Sequence, residues 1–232
     1  MEKVAGANQS DELRWSRISV RGPQSESFLQ GQLTQDLALV DDPGRWSLLL
    51  RPDSALLSTC FVRRVPEGFD VDVPREMGEV ALARLRRFHL RVDCSLDLSD
   101  VEGGPMLTTA ELIDGRWPGA AEFGVELTPQ SYGAAFVERT VSFTKGCYTG
   151  QELVARLDAR KSSVPWRFVW ASGPQVERIN EALRSKGPEG PQGITTALER
   201  DGRIVAVGFA HRSLLGSDVL ASFHDVTVEA IG

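Results

Sequence analysis

Apolar and polar positions change register several times along this chain, and each change marks an element. Leu13, Trp15, Ile18 and Val20 are separated by Arg14, Ser16, Arg17 and Ser19, an imperfect alternation that predicts a first strand. Gly22-Pro23 ends it, and the proline is placed to open a helix over residues 24–32, with Phe28, Leu29 and Leu33 along one side. Beyond the turn Asp41-Asp42-Pro43-Gly44, residues 46–50 read as a buried strand. Arg51-Pro52-Asp53-Ser54 is a second turn, and residues 56–64 a strand after it. Phe69, Val71 and Val73 alternate with acidic residues and add another strand. Residues 76–89 give the clearest helical pattern, with Val80, Leu82, Leu85 and Phe88 assigned to one side, and residues 91–98 return to a strand.

The last third is patterned differently. Residues 166–171, 193–199, 203–210 and 219–230 read as short strands, separated by Ser172-Gly173-Pro174, a Gly/Pro stretch over 187–193 and Asp201-Gly202. The expected fold class is therefore α+β. An antiparallel sheet with helices packed on one face is followed by a small C-terminal β-barrel or sandwich. The expected organisation is a polar tail over 1–11, an α+β unit over 12–100, a turn-rich connector over 101–164 and a β-rich unit over 165–232.

A chain of 232 residues with 41% hydrophobic and 25% charged residues buries a real core. Its 26 basic residues against 32 acidic ones, a formal charge of -6, argue against a dedicated nucleic-acid binder. No apolar run approaches the roughly 18 residues that span a bilayer, and the opening segment carries no apolar core or cleavage signature, so a cytoplasmic protein without a membrane partner is expected. Cys60, Cys94 and Cys147 form neither a disulfide framework nor a CxxC clip. His89, His211 and His224 never fall at ligand spacing, and no metal is expected.

The window Lys145-Gly146-Cys147-Tyr148-Thr149-Gly150-Gln151-Glu152 is the one most suggestive of chemistry. Two glycines free the backbone around Cys147, and the pattern turns helical from Gln151, with Glu152 four residues before Arg156. Cys147 thus precedes a helix N-terminus and stands two residues from Lys145, both influences that favour a thiolate. The plainer reading is a small cysteine filling space beside a tight turn.

The longer run Ser142-Phe143-Thr144-Lys145-Gly146-Cys147-Tyr148-Thr149-Gly150-Gln151-Glu152 closely resembles the signature of the YgfZ-type folate-binding proteins. These are relatives of the glycine-cleavage T-protein (aminomethyltransferase) that assist iron–sulfur enzymes. Gly22, the run Phe28-Leu29-Gln30-Gly31-Gln32-Leu33-Thr34 and Asp36 resemble that family's opening segment. Gly208 and His211-Arg212 suit its terminal barrel, while the middle section is shorter than the family's.

The resemblance implies a tetrahydrofolate or other reduced-folate ligand, iron–sulfur client proteins as partners, and Cys147 with Lys145 as functional residues. The pterin edge calls for a carboxylate, the rings for aromatic walls, and the glutamate tail for arginine. Trp15, seven residues before Gly22, matches the spacing of a folate-site tryptophan, and Tyr148 and Trp117 offer further wall. Asp114 or Glu111 is the candidate carboxylate, Arg156, Arg160 and Arg212 are candidates for the tail, and Gln151 and Glu152 belong to the same set. The aminomethyltransferases carry a Gly-Gly-x-x-Asp-Asp pattern where this chain has Ser54-Ala55-Leu56-Leu57-Ser58-Thr59. Hydroxyls do not replace an aspartate as charge partner or proton acceptor at neutral pH, so aminomethyl transfer is not expected. A one-carbon transferase and a degenerate scaffold of the same fold stand as the alternative readings.

Overall fold

The computed structural model describes residues 12–106, 108–160 and 163–232. The polar tail assigned to 1–11 lies outside them. Two antiparallel sheets build the molecule. The first has five strands, β1 (Trp15–Arg21), β2 (Arg45–Leu50), β3 (Leu56–Val65), β4 (Gly68–Pro74) and β5 (Ser95–Val101), in the order β2-β3-β4-β1-β5. Its helices are α1 (Ser25–Gln30) and α2 (Gly78–Arg86). Ile18 and Val20 of β1, Cys60 and Val62 of β3, and Val71 and Val73 of β4 point to one face, where Phe28, Leu29, Ala81, Leu82 and Leu85 meet them in a buried cluster. The other face of the same strands carries Trp15, Arg17, Trp46, Phe61 and Asp72. There Asp72, fully buried, accepts from Arg17 Nε at 2.8 Å and also pairs with Arg63.

Alternation along β1 thus sorts the apolar face from the polar one, as the sequence predicts. The helix over 76–89 differs in detail. A 3₁₀ turn at Arg75–Met77 precedes it, and α2 starts at Gly78, where a Cβ would come within 3.0 Å of the Ser16 side chain. Counting from Gly78 in steps of three and four gives Ala81, Leu82 and Leu85 as the buried stripe. Val80, assigned to that stripe from the sequence, is 48% exposed, and Phe88 lies past the helix end and is exposed too. The strand read over 91–98 begins only at Ser95, because Arg91 turns through φ +57° and Asp93 N donates to Gln24 Oε1.

A middle layer contains α3 (Thr109–Asp114), α4 (Ala134–Thr140) and α5 (Gln151–Ala159). The second sheet is formed by β6 (Trp166–Gly173), β7 (Gly193–Arg200), β8 (Arg203–His211) and β9 (Thr227–Ala230) in the order β7-β8-β6-β9. It is an open four-stranded sheet rather than the barrel read from strand spacing. Much of 219–230 is a 3₁₀ turn, Asp218–Ser222, with only Thr227–Ala230 pairing, and too few strands remain to close. One face is covered instead by α6 (Val176–Arg184) and α7 (Arg212–Leu215), whose Ile179, Leu183 and Leu214 pack on Val169, Ala171 and Ala210. The opposite face joins the largest core, in which Leu48 and Leu56 of the first sheet meet Tyr132 and Phe136 of the middle layer and Phe168 and Phe209 of the second sheet.

Candidate functional site

The two segments that resemble one family in sequence fold directly onto each other. Thr149 N donates to Gly31 O at 3.0 Å and Ser142 N to Thr34 O at 3.0 Å. Thr34 Oγ1 donates to Thr140 O at 2.6 Å while accepting from Leu48 N at 2.8 Å, which ties both segments to β2. Gly150, at φ +85°, brings the backbone so close to β2 that a Cβ would sit 2.5 Å from Arg51 O. Only glycine fits that position.

Lys145 is buried, and its Nζ donates to Leu33 O at 2.8 Å and Gln35 O at 2.9 Å. Burial brings its ammonium down to about 8, with the charge of Asp36 opposing. Asp36 is itself held below the ordinary carboxylate value, first by Gln30 Nε2 and then by Ala38 N. Lys145 is thereby committed to the carbonyls of the 33–35 turn. Tyr148 is buried against the central core; its hydroxyl has no partner among the described residues and burial raises its pKa. Gln151 Oε1 accepts from Tyr148 N at 3.3 Å and fixes the entry to α5. Cys147 alone of this set projects outward, an exposed free thiol.

A second locus is built around Trp15 and Trp117. A cavity of about 280 Å³ is walled by Trp15, Met106, Leu112, Trp117, Gly119 and Thr196. Trp15, 3% exposed, lies against the backbone of Gly104 and donates Nε1 to Met106 O at 2.7 Å. Trp46 links the two wall tryptophans, with its ring 6.1 Å from Trp15 and 4.6 Å from Trp117. The Trp117 indole N–H is buried and has no partner among the described residues. Such a donor costs ~1–3 kcal/mol unless something accepts from it.

Behind Gly119 and Thr196 stands Glu122, 0% exposed. Gly119 N donates to its Oε2 and Thr196 Oγ1 to its Oε1, each at 2.7 Å. Its donors are all neutral, and burial raises its pKa while the hydroxyls of Thr195 and Thr196 hold the rise back. Beside Gly119 N and Thr196 Oγ1, the Thr195 hydroxyl and the Glu122 backbone N–H also serve this carboxylate, so its lone pairs are met from within the protein. Sequence reasoning missed Glu122. The available signal was a carboxylate inside the apolar run Trp117-Pro118-Gly119-Ala120-Ala121-Glu122-Phe123-Gly124.

The other sequence-derived candidates lie elsewhere. Asp114 is on the surface, accepting from Arg200 at 2.8 and 3.0 Å, and Glu111 closes a capping box with Thr108 at the start of α3. Neither lines the cavity; Glu122 stands behind its wall, bonded to the lining residues Gly119 and Thr196. Glu152 and Arg156 pair at 2.6 Å on the exposed side of α5, Arg160 is exposed at its end, and Arg212 donates to Ser163 O at 3.4 Å. None of the residues Lys145 to Arg156 contributes to the tryptophan cavity. Ser58 and Thr59 are fully buried within β3; Ser58 Oγ donates to Thr59 O at 2.7 Å. Among the described residues no group of three or more His, Cys, Asp or Glu could hold a metal ion. No helix there is long and apolar enough to cross a membrane.

No protein-family profile matches the chain. Over 205 residues, 71% of this chain and 73% of the relative, it is 25% identical to an uncharacterized protein of Haemophilus influenzae. Its structure is similar to the crystal structure of glycine cleavage system aminomethyltransferase T from Bartonella henselae. The TM-score is 0.58 at 18% identity, over 86% of this chain and 76% of that one. The chain therefore has a T-protein-like fold, mixed α and β with two antiparallel sheets.

Proposed function

We propose that this chain is a reduced-folate-binding accessory protein, with the pteridine ring in the cavity between Trp15 and Trp117. The observation that carries this reading is a buried carboxylate served only by neutral donors behind an aromatic-walled cavity, on a fold shared with an aminomethyltransferase. At about 280 Å³ the cavity stands just below the ~300–1,000 Å³ usual for ligand pockets. It suits a bicyclic ring whose tail extends outside. The residues present fit such a ring. Trp15 and Trp117 give flat apolar walls, the Trp117 N–H, unpartnered among the described residues, is available to a ring acceptor, and Glu122 stands behind the wall, holding Gly119 and Thr196 in place. Tetrahydrofolate, when bound, supplies a carrier for a one-carbon unit.

Aminomethyl transfer is not part of the proposal. Ser58 and Thr59 supply no carboxylate, and both are sealed inside the sheet. In this reading the other locus, apart from the tryptophan cavity, acts through Cys147, an exposed thiol on a loop anchored by Lys145 and Gly150, which meets iron–sulfur client proteins in the cytoplasm. The support for that finer part is the residue-by-residue likeness of the Ser142–Glu152 window.

Two experiments test the two parts. Titration with tetrahydrofolate is expected to quench tryptophan fluorescence saturably in the wild type and to weaken at least about tenfold in Trp15→Ala, the loss of one aromatic wall. Absence of quenching in the wild type would discard the folate reading. Cys147→Ala, introduced into a strain lacking the protein, is expected to leave the folate titration unchanged while lowering iron–sulfur enzyme activity. Full activity in that strain would remove the client role.

A further inference from the structure

Arg84 is buried to 8% exposure and, among the described residues, has no carboxylate partner. Its Nε donates to Leu50 O at 3.0 Å, its Nη1 to Gln32 Oε1 at 2.9 Å, and its Nη2 has no partner among the described residues. The guanidinium stacks on Phe88, 4.2 Å from the ring centroid. Burial brings its pKa down to about 10, and the charge of Arg87 adds to the fall. Taking a guanidinium out of water with no opposite charge is unfavourable unless a partner arrives.

Arg84 lines a cavity of about 500 Å³ whose apolar wall is Pro52, Leu57, Val80 and Ala83. Arg87 stands exposed on the rim, and Arg51 at the other side is already balanced by Asp53 at 2.7 Å. The surplus of positive charge therefore comes from Arg84 and Arg87, above an apolar surface that includes the exposed Val80. Gln32 Oε1, which accepts from Arg84, also accepts from Thr149 Oγ1 at 3.4 Å, so the cavity is one hydrogen-bonded residue from the loop that bears Cys147.

We propose that this cavity is a binding site for a small organic oxyanion, a carboxylate or phosphate on an apolar body, held by Arg84 and Arg87. The site shares no lining residue with the tryptophan cavity and does not rest on the folate reading.

The test is a thermal-shift titration of the whole chain with glutarate and, separately, inorganic phosphate, each compared with sodium chloride at matched ionic strength. A saturable rise in Tm above the chloride control is expected with at least one of them, because a ligand of the native state raises its stability with concentration. The anion that gives the rise identifies the headgroup. Arg87→Ala is expected to weaken the apparent Kd about tenfold. Arg86→Ala removes the same net charge from the neighbouring position, which does not line the cavity, and is expected to stay within about twofold of wild type. Arg84→Met, if it folds, is expected to abolish the effect. The proposal is overturned if neither anion exceeds chloride, if Arg86→Ala and Arg87→Ala lose affinity equally, or if a folded Arg84→Met still responds.

Discussion

At the scale of single residues, two buried ionisable groups have opposite environments and opposite consequences. Glu122 has no cation among the described residues to offset its burial, so its folded pKa lies above the ordinary 4.5. The native state then binds more protons than the unfolded chain between 4.5 and the raised value, and stability falls as pH rises through that window. Glu122→Gln abolishes this dependence. Its Tm relative to wild type is expected to climb as pH rises from 4.5 and to level off above the folded pKa; a pH-independent difference would mean that Glu122 does not titrate as its burial requires. Lys145 works by anchorage. Removing its ammonium in Lys145→Met leaves the Leu33 and Gln35 carbonyls without their donor, a loss of ~1–3 kcal/mol measured by urea unfolding. The same change is expected to speed proteolysis within 142–150, because the Cys147 loop loses its tether to the first sheet.

At the scale of elements, exposure decides which side chains matter. On α2 the buried stripe begins at Gly78, so Leu85→Ala is expected to lower stability by ~2–5 kcal/mol, while Val80→Ser changes it by less than ~0.5 kcal/mol. Chemical denaturation of the two variants checks both, and the reverse ranking would refute the assigned face. On α5 the Glu152–Arg156 pair is 85% and 51% exposed. Arg156→Ala is expected to shift Tm by no more than about 1–2 °C, since such pairs contribute ~0.3–0.5 kcal/mol. The first-sheet strands and α5 were legible because their apolar positions follow periods of two and 3.6. The helix α6 follows the same rule, with Val176, Ile179 and Leu183 at helical spacing, but the Gly/Pro stretches that flank it carry the stronger turn signal. The open second sheet was not legible, since strand spacing does not distinguish a closing strand from the 3₁₀ turn at Asp218–Ser222. The two cavities were hidden for a similar reason. Glu122 and Arg84 acquire meaning only from residues far away in sequence, Thr196 in one case and Gln32 and Leu50 in the other.

At the scale of the whole molecule, the sequence divides into three stretches while the largest core draws on all of them. Tyr132 stands at its centre, 5.3 Å from Phe136, 5.6 Å from Phe168 and 5.7 Å from Phe209, while Trp46 and Trp117 extend the aromatic contacts toward Trp15 and the first sheet. The second sheet therefore has no route to unfold without stripping cover from the first. Unfolding is expected to be a single cooperative transition, with far-ultraviolet dichroism and tryptophan fluorescence giving coincident curves. Phe209→Ala, in β8, is expected to lower the midpoint of both probes together by the equivalent of ~3–5 kcal/mol. Because the wall tryptophans belong to this same aromatic chain, tetrahydrofolate bound between Trp15 and Trp117 is expected to raise both midpoints together. A fluorescence transition that shifts apart from the dichroism curve in Phe209→Ala would show that the two sheets unfold independently and that the cavity depends on the first sheet and middle layer alone.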